Sequence, residues 1–391
     1  MNIGGIRMGQ YRKIPTLFMR GGTSKAAYIM IKDLPDDQKM KDEIIMSMYG
    51  SGDERQINGI GGADPLTSKV ALIKPSQRED ADVDYTFGYV GIKDKTMDYE
   101  GNCGNISSGV GPFALLRGLV QKQEPFTIVR VYNTNTKKII EVKVPVKDGE
   151  VVTEGDYAIA GVPGTGAKIT LNFPNAAGSK TGKLLPTGHV VDEITLADGR
   201  KIRASLVDAA NPAIFVKAVD LGFTGKELPK DTIENPHILE IMEDIRTTGA
   251  VMMGLAPDKN HVSQAVPKIA FVAGADTYTT SDGKIIEKKD FDLLARTKAL
   301  QVMHKTYAVT GGICVATAAC IKGTVVNEVV DKAAVEGGEI RIGHPAGVLE
   351  IFVEVKQDEN NNWILKQAGL SRTVKPIMEG SVFVPEKLFS K

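Results

Sequence analysis

Apolar residues along this chain fall in short β-branched runs, and glycines fall at the ends of such runs, where a strand must turn or approach another backbone closely. Seven such runs in the first half predict strands at Thr16–Met19, Ala26–Ile31, Val70–Ile73, Tyr85–Val90, Phe126–Tyr132, Lys138–Val144 and Lys168–Phe173. Longer segments predict helices at Asp36–Tyr49, Ser107–Val120, Pro236–Thr248, Asp290–Met303 and Gly312–Ile321. Short strands, fewer helices and glycine punctuation predict an α+β enzyme.

Four local patterns recur in the same order in the two halves. Ser24-Lys25-Ala26-Ala27-Tyr28-Ile29 matches Asn211-Pro212-Ala213-Ile214-Phe215-Val216, and Ser68-Lys69-Val70-Ala71 matches Pro267-Lys268-Ile269-Ala270. The Gly104–Gly118 segment, a glycine- and serine-rich turn opening a helix, matches Val309–Gly323. Gly161-Val162-Pro163 before a strand matches Gly343-His344-Pro345 before another. Colinear recurrence predicts two similar lobes, 1–197 and 198–391, joined near the turn Ala197-Asp198-Gly199-Arg200. Such lobes, facing each other across a pseudo-two-fold, set corresponding loops opposite one another, and domain interfaces are where small-molecule pockets prefer to form.

Composition narrows the function classes. A chain of 391 residues is long enough for two cores, and 48 basic against 48 acidic residues leave no basic footprint for nucleic acid or a membrane surface. Cys103, Cys314 and Cys320 are too few and too scattered for a disulfide framework, which points to a reducing compartment, the cytoplasm by default. The first twenty residues hold no apolar run of signal-peptide length, and no later stretch approaches a membrane span. The glycine-rich leader Met1 to Arg7, which precedes Met8, reads as an alternative start or an expression remnant. Edge strands and glycine-rich surfaces are compatible with a homo-oligomer.

The most informative stretch is Gly101-Asn102-Cys103-Gly104-Asn105-Ile106-Ser107-Ser108-Gly109-Val110-Gly111, directly before an apolar helix. Its thiol stands just before a helix start, where free backbone N–H groups favour an anion, either the thiolate or a substrate carboxylate. Asn105, Ser107 and Ser108 add short-range hydrogen-bonding groups. The plain alternative is a buried, inert cysteine, but core cysteines usually have apolar neighbours and Cys103 has Asn102 and Gly104. Five histidines, His189, His237, His261, His304 and His344, show no metal-ligand spacing, so no metal site is expected. Gly161–Gly166 and Gly59–Gly62 lack the lysine of a phosphate loop and the full dinucleotide spacing.

Met19-Arg20-Gly21-Gly22-Thr23-Ser24-Lys25, Thr67-Ser68-Lys69-Val70-Ala71, the Gly101–Phe113 stretch and Gly343-His344-Pro345-Ala346-Gly347 together resemble the family of 2-methylaconitate cis-trans isomerase. Its relatives include 3-methylitaconate isomerase and 4-oxalomesaconate tautomerase, within the wider diaminopimelate-epimerase-like fold. The resemblance covers nearly the whole chain. It implies two similar lobes with the active site in the cleft between them, and a catalytic pair at Lys69 and Cys103. Ser24 is then expected to orient a carboxylate or assist the lysine. Helix starts at Gly104, Asn105, Ser107 and Ser108 and at Thr310, Gly311 and Gly312 would hold substrate carboxylates, with Arg20 and His344 as further candidates. Taken alone, Lys69 also reads as a solvated lysine, Ser24 as a turn residue, Arg20 as a surface ion-pair partner and His344 as part of a turn.

The wider fold commonly uses one cysteine per lobe to move a proton between two faces. Aligning Arg117-Gly118 with Lys322-Gly323 sets Ala308 opposite Cys103, so that second thiol is missing, and Cys314 and Cys320 read as packing residues. One thiol and one lysine suit a proton moved between two carbons, which shifts a double bond. The implied activity is a cofactor-free isomerase of small unsaturated di- or tricarboxylic acids. An amino-acid epimerase of the same fold and a non-catalytic metabolite-binding accessory protein are the alternatives.

Overall fold

In the computed structural model, residues 9–99, 103–159, 161–234, 236–299 and 302–389 are described, so the leader and the Gly101-Asn102 pair lie outside the described residues. The chain forms two compact units, Met1–Asn172 with Ser371–Lys391, and Phe173–Leu370.

Unit 1 contains β1 (Tyr11–Gly21), β2 (Ser24–Met30), β3 (Lys69–Pro75), β4 (Val83–Val90), β5 (Phe126–Asn133), β6 (Lys138–Lys147) and β7 (Ile169–Asn172). Its helices include α1 (Gln38–Tyr49), α2 (Gly104–Ser107) and α3 (Val110–Leu116). Unit 2 contains β8 (Asp192–Thr195), β9 (Lys201–Ala209), β10 (Asn211–Lys217), β11 (Lys268–Gly274), β12 (Leu293–Ala299), β13 (Glu339–His344), β14 (Gly347–Gln357) and β15 (Trp363–Arg372), whose last two residues belong to unit 1. Its longer helices are α4 (Pro236–Met252) and α5 (Val309–Cys320). The last strand, β16 (Val374–Pro385), returns to unit 1 and pairs antiparallel with β1 along its length.

Both units have one pairing order. In unit 1 the strands run β16, β1, β2, β3, β4, β5, β6, β7; the β2–β3 and β4–β5 pairs are parallel and the others antiparallel. In unit 2 they run β8 to β15 in sequence, with β10–β11 and β12–β13 parallel and the others antiparallel. The likeness reaches single side chains. Asp82, just before β4, accepts from Arg130 N at 2.7 Å and Arg130 Nη2 at 2.7 Å. Asp292, just before β12, accepts from Arg341 N at 2.7 Å and Arg341 Nη2 at 2.6 Å. In each unit this forked contact fixes where a parallel strand pair begins.

Helix α1 shows how local sequence builds the frame around the site. Asp37 caps it by accepting from Met40 N, Gly50 ends it in the left-handed region, and Ile44, Ile45, Met48 and Tyr49 form its buried face. That face packs on Ile14, Ala27, Ile29, Val70, Leu72 and Val384 from β1, β2, β3 and β16. The opposite face of the sheet carries Tyr28 on β2 and Tyr85 on β4, both buried, on the side of α2 and α3.

The structure corrects five sequence expectations. The turn at residues 197–200 is a hairpin inside unit 2, between β8 and β9, and the units instead divide after Asn172. The pairing of β16 with β1 returns the last residues to unit 1. Asp290–Met303 is not a helix: it holds β12, where Leu293, Leu294 and Ala295 are fully buried between neighbouring strands, so packing overrides helix-forming composition. The expected Ser107–Val120 helix begins earlier and breaks at Ser108 and Gly109, where Tyr28 Oη occupies the space a side chain on Gly109 would need. Finally, the strand after Gly161 is β7, whose counterpart by pairing order is β15 and not the strand after Gly343, so the fourth recurrence is out of register.

Candidate active site

Ser24 opens β2 and Lys69 opens β3. The parallel register sets Ala26 beside Lys69, and Ser24, two residues earlier, shares that face. Lys25 N donates to Leu66 O at 2.9 Å, while Tyr49 Oη donates to Lys69 O and accepts from Ala27 N, so both strand starts are pinned to one another. Cys103 caps α2 in extended conformation with φ of −130°. The turn before Ser24 lets α2 approach: Gly22 has φ of +51°, and a Cβ there would lie 2.1 Å from Asn105 Oδ1, so only glycine fits.

These elements bring three side chains together. Lys69 Nζ donates to Ser24 Oγ at 3.0 Å and to Cys103 Sγ at 3.5 Å. Ser24 is 1% exposed and Lys69 8%, while Cys103 is partly open. Among the described residues no carboxylate pairs with this ammonium, which leaves its charge available to an acidic ligand. Two buried phenols border the group. Burial first, and the Cys103 sulfur second, push Tyr28 and Tyr85 well above the ordinary phenol range, so both stay protonated.

The neighbouring polar residues build the shelf on which the sulfur sits. Ser107 Oγ donates to Cys103 O at 2.9 Å, and Ser108 Oγ donates to Asn105 O at 2.6 Å. Asn105 Nδ2 donates to Thr23 Oγ1 at 3.0 Å, and its Oδ1 accepts from Arg372 Nε at 2.9 Å. Their side chains thus hold the Cys103 turn, and the first-turn N–H groups of Gly104 and Asn105 are the donors with no carbonyl four residues back in α2. Arg20 Nη1 donates to Gly22 O at 2.8 Å, Thr373 O at 2.9 Å and Thr373 Oγ1 at 3.0 Å, clamping the turn that carries Ser24.

A match to the family model described as PrpF protein spans residues 11–385. The chain belongs to the PrpF protein family. It is 46% identical over 381 residues to the 3-methylitaconate isomerase of Eubacterium barkeri, covering 96% of this chain and 98% of that one. It is 37% identical to the 2-methyl-aconitate isomerase of Cupriavidus necator (96% and 98% covered) and 38% identical to the 4-oxalomesaconate tautomerase of Pseudomonas putida (96% and 97%). The crystal structure of methylitaconate-delta-isomerase superposes with a TM-score of 0.82 at 45% identity, covering 97% of each chain. These PrpF relatives are named as isomerases or a tautomerase, and this chain shares their α+β fold.

In unit 2 of this PrpF-family chain, α5 is capped by Ala308 as α2 is capped by Cys103. Thr310 and Gly311 lie in its first turn; Gly312 is buried, and a Cβ there would meet Leu349 Cδ2 at 2.6 Å, which gives it a packing part. His344 ends β13 and is 9% exposed; its Nδ1 accepts from Ala346 N at 3.2 Å. Burial first, then Arg296 and His304, depress its pKa from 6.5 to about 3, so it is neutral. Cys314 is buried, its Sγ donating to Val207 O at 3.4 Å, and burial pushes its thiol far up; burial raises Cys320 to about 11. Among the described residues no group of three or more His, Cys, Asp or Glu could hold a metal ion, and no helix is long and apolar enough to cross a membrane.

Sequence reasoning missed Thr23, Tyr28, Tyr85 and Arg372. The tyrosines sit inside apolar runs and look like core, and Arg372 stands 267 residues from Asn105 with no local mark.

Proposed function

We propose that this protein is an isomerase that moves a C=C bond within an unsaturated di- or tricarboxylic acid, by a 1,3-proton shift or the related cis-trans isomerisation. The observation that carries this reading is the contact of Lys69 Nζ with both Ser24 Oγ and Cys103 Sγ, in a chain 46% identical to a 3-methylitaconate isomerase. A proton leaves the allylic carbon that bears a carboxylate, and the C–H electron pair forms the new C=C bond. The old π pair moves to the far alkene carbon, which takes a proton, so atoms and charge balance. Between these steps the carboxylate next to the reacting carbon carries extra negative charge. The Lys69 ammonium offsets that charge, and the N–H groups of Gly104 and Asn105 are proposed as further donors to it.

Lys69 and Cys103 are proposed to exchange the proton, and Ser24 to orient the lysine through its 3.0 Å hydrogen bond. A single thiol disfavours inversion by two cysteines, since the residue capping α5 is Ala308. Three free cysteines support a reducing compartment, and we place the protein in the cytoplasm on that ground. The substrate class follows the relatives, with 3-methylitaconate and 2-methylaconitate ahead of 4-oxalomesaconate.

The test is incubation in D₂O with each of these three acids, followed by proton NMR. Deuterium entering one acid at its allylic and far alkene carbons is the expected result, with Lys69→Met and Cys103→Ser each slowing it by about 10² to 10⁴-fold at unchanged circular dichroism. Exchange at the α-carbon of an amino acid, and none in any of the three acids, would turn the reading into an epimerase.

A further inference from the structure

The strand registers place a second lysine where Lys69 stands. In unit 1, β2 and β3 pair Ala26 with Lys69, and Ser24 lies two residues before Ala26. In unit 2, β10 and β11 pair Ala213 with Lys268, and Asn211 lies two residues before Ala213. The helix that follows is capped by Cys103 in one unit and Ala308 in the other. Lysine, hydroxyl and thiol in unit 1 are therefore lysine, carboxamide and methyl in unit 2. Ile269 and Phe271 on β11 belong to the core under α4, so Lys268, one residue off, faces the other side of the sheet, as Asn211 does.

Lys268 lacks a partner of opposite charge among the described residues. Among the described residues its ammonium has no hydrogen-bond acceptor and no carboxylate, although the side chain is partly buried; burial lowers its pKa and Arg246 adds to that. Arg246, the cation that acts on Lys268, is paired with Glu243 at 2.8 Å. His304, which feels the Lys268 charge, accepts at Nδ1 from Thr306 N at 3.0 Å, leaving Nε2 to carry its proton. The first turn of α5 contains no acidic residue. A partly desolvated ammonium with no carboxylate partner is stabilised by an anion. The methyl of Ala308 can neither take nor give a proton.

We infer that Lys268, Asn211 and His304 form a carboxylate-binding seat in unit 2, which holds an anion and performs no proton transfer. All three residues of the seat lie in unit 2, and the choice of a tricarboxylate as probe rests on the proposed function.

The experiment is calorimetric titration of the full chain with tricarballylate, a saturated tricarboxylate that has no C=C bond to isomerise. Lys268→Met is expected to weaken binding tenfold or more, Asn211→Asp to weaken it similarly by repulsion, and Lys268→Arg to keep affinity within about threefold of wild type. Lys366→Met, at an exposed position on β15, is expected to bind as wild type does. Wild-type affinity in a folded Lys268→Met protein, or no saturable binding by the wild type at millimolar tricarballylate, overturns the seat. The two readings fail separately. Lost binding in Lys268→Met without deuterium exchange in any acid removes the isomerase and leaves the seat; exchange with unchanged binding does the reverse.

Discussion

At the scale of single residues, burial decides what each polar group is able to do. Among the described residues Lys69, though enclosed, meets a hydroxyl and a sulfur and pairs with no carboxylate. His344 is the contrasting case, a buried imidazole that folding keeps neutral. Its pKa is about 3 in the fold against an ordinary 6.5, so between those values the unfolded chain binds the extra proton. Its contribution to stability is thus full above pH 6.5 and is lost as pH falls toward 3, with a limiting slope of about 1.4 kcal/mol per pH unit. His344→Asn keeps a side-chain acceptor for Ala346 N but cannot titrate. Urea unfolding at pH 7 and pH 5 is expected to show a smaller loss of stability on acidification in the variant than in wild type. Equal losses would mean that other groups carry the acid sensitivity.

At the scale of elements, the Cys103 turn depends on how closely α3 approaches the sheet. A Cβ on Gly111 would lie 2.7 Å from Val142 Cγ1 and 2.9 Å from Val144 Cγ2, both on β6. Gly111→Ala must therefore lift α3, at a cost of about 1–3 kcal/mol, and through α3 it moves the segment that caps with Cys103. Lower stability in urea together with slower isomerisation is expected, whereas Gly380→Ala on β16, where a Cβ meets nothing within 4 Å, stays within about 0.5 kcal/mol of wild type. The sequence showed seven strands of unit 1, because each is a short run rich in β-branched and aromatic residues, and did not show β16. It misled at β12, where Leu, Ala, Arg and Lys suggest a helix and only the strands on either side dictate an extended chain. Cys103 was legible by residue type and glycine-rich flanks, whereas Lys69 and Ser24 were marked by the family resemblance, since taken alone they read as a solvated lysine and a turn residue. The phenols of Tyr28 and Tyr85 and the Arg372 clamp on Asn105 were not, since they depend on contacts between segments far apart in sequence.

At the scale of the whole molecule, the two units differ in continuity. Unit 2 is one uninterrupted stretch, 173–370, with its own core of Leu206, Ile214, Val216, Met242, Ile245, Ile269 and Phe271. Unit 1 is discontinuous, because β16 pairs with β1 and contributes Val384 to the core that holds Ile14 and α1. A fragment of residues 173–370 is expected to fold alone and unfold cooperatively in urea, while residues 9–172 alone are not. The missing strand can be supplied in another order. Pro385 pairs with Tyr11, and Glu386 N donates to Gln10 O at 2.9 Å, so the end of β16 and the start of β1 lie side by side as in a hairpin. Placing 371–389 ahead of residue 9 through a short glycine–serine linker should therefore give a continuous, folded unit 1, read as a cooperative urea transition and dispersed amide resonances. A cooperative transition in the unextended 9–172 fragment would show that β16 is an accessory to unit 1 and not part of its core.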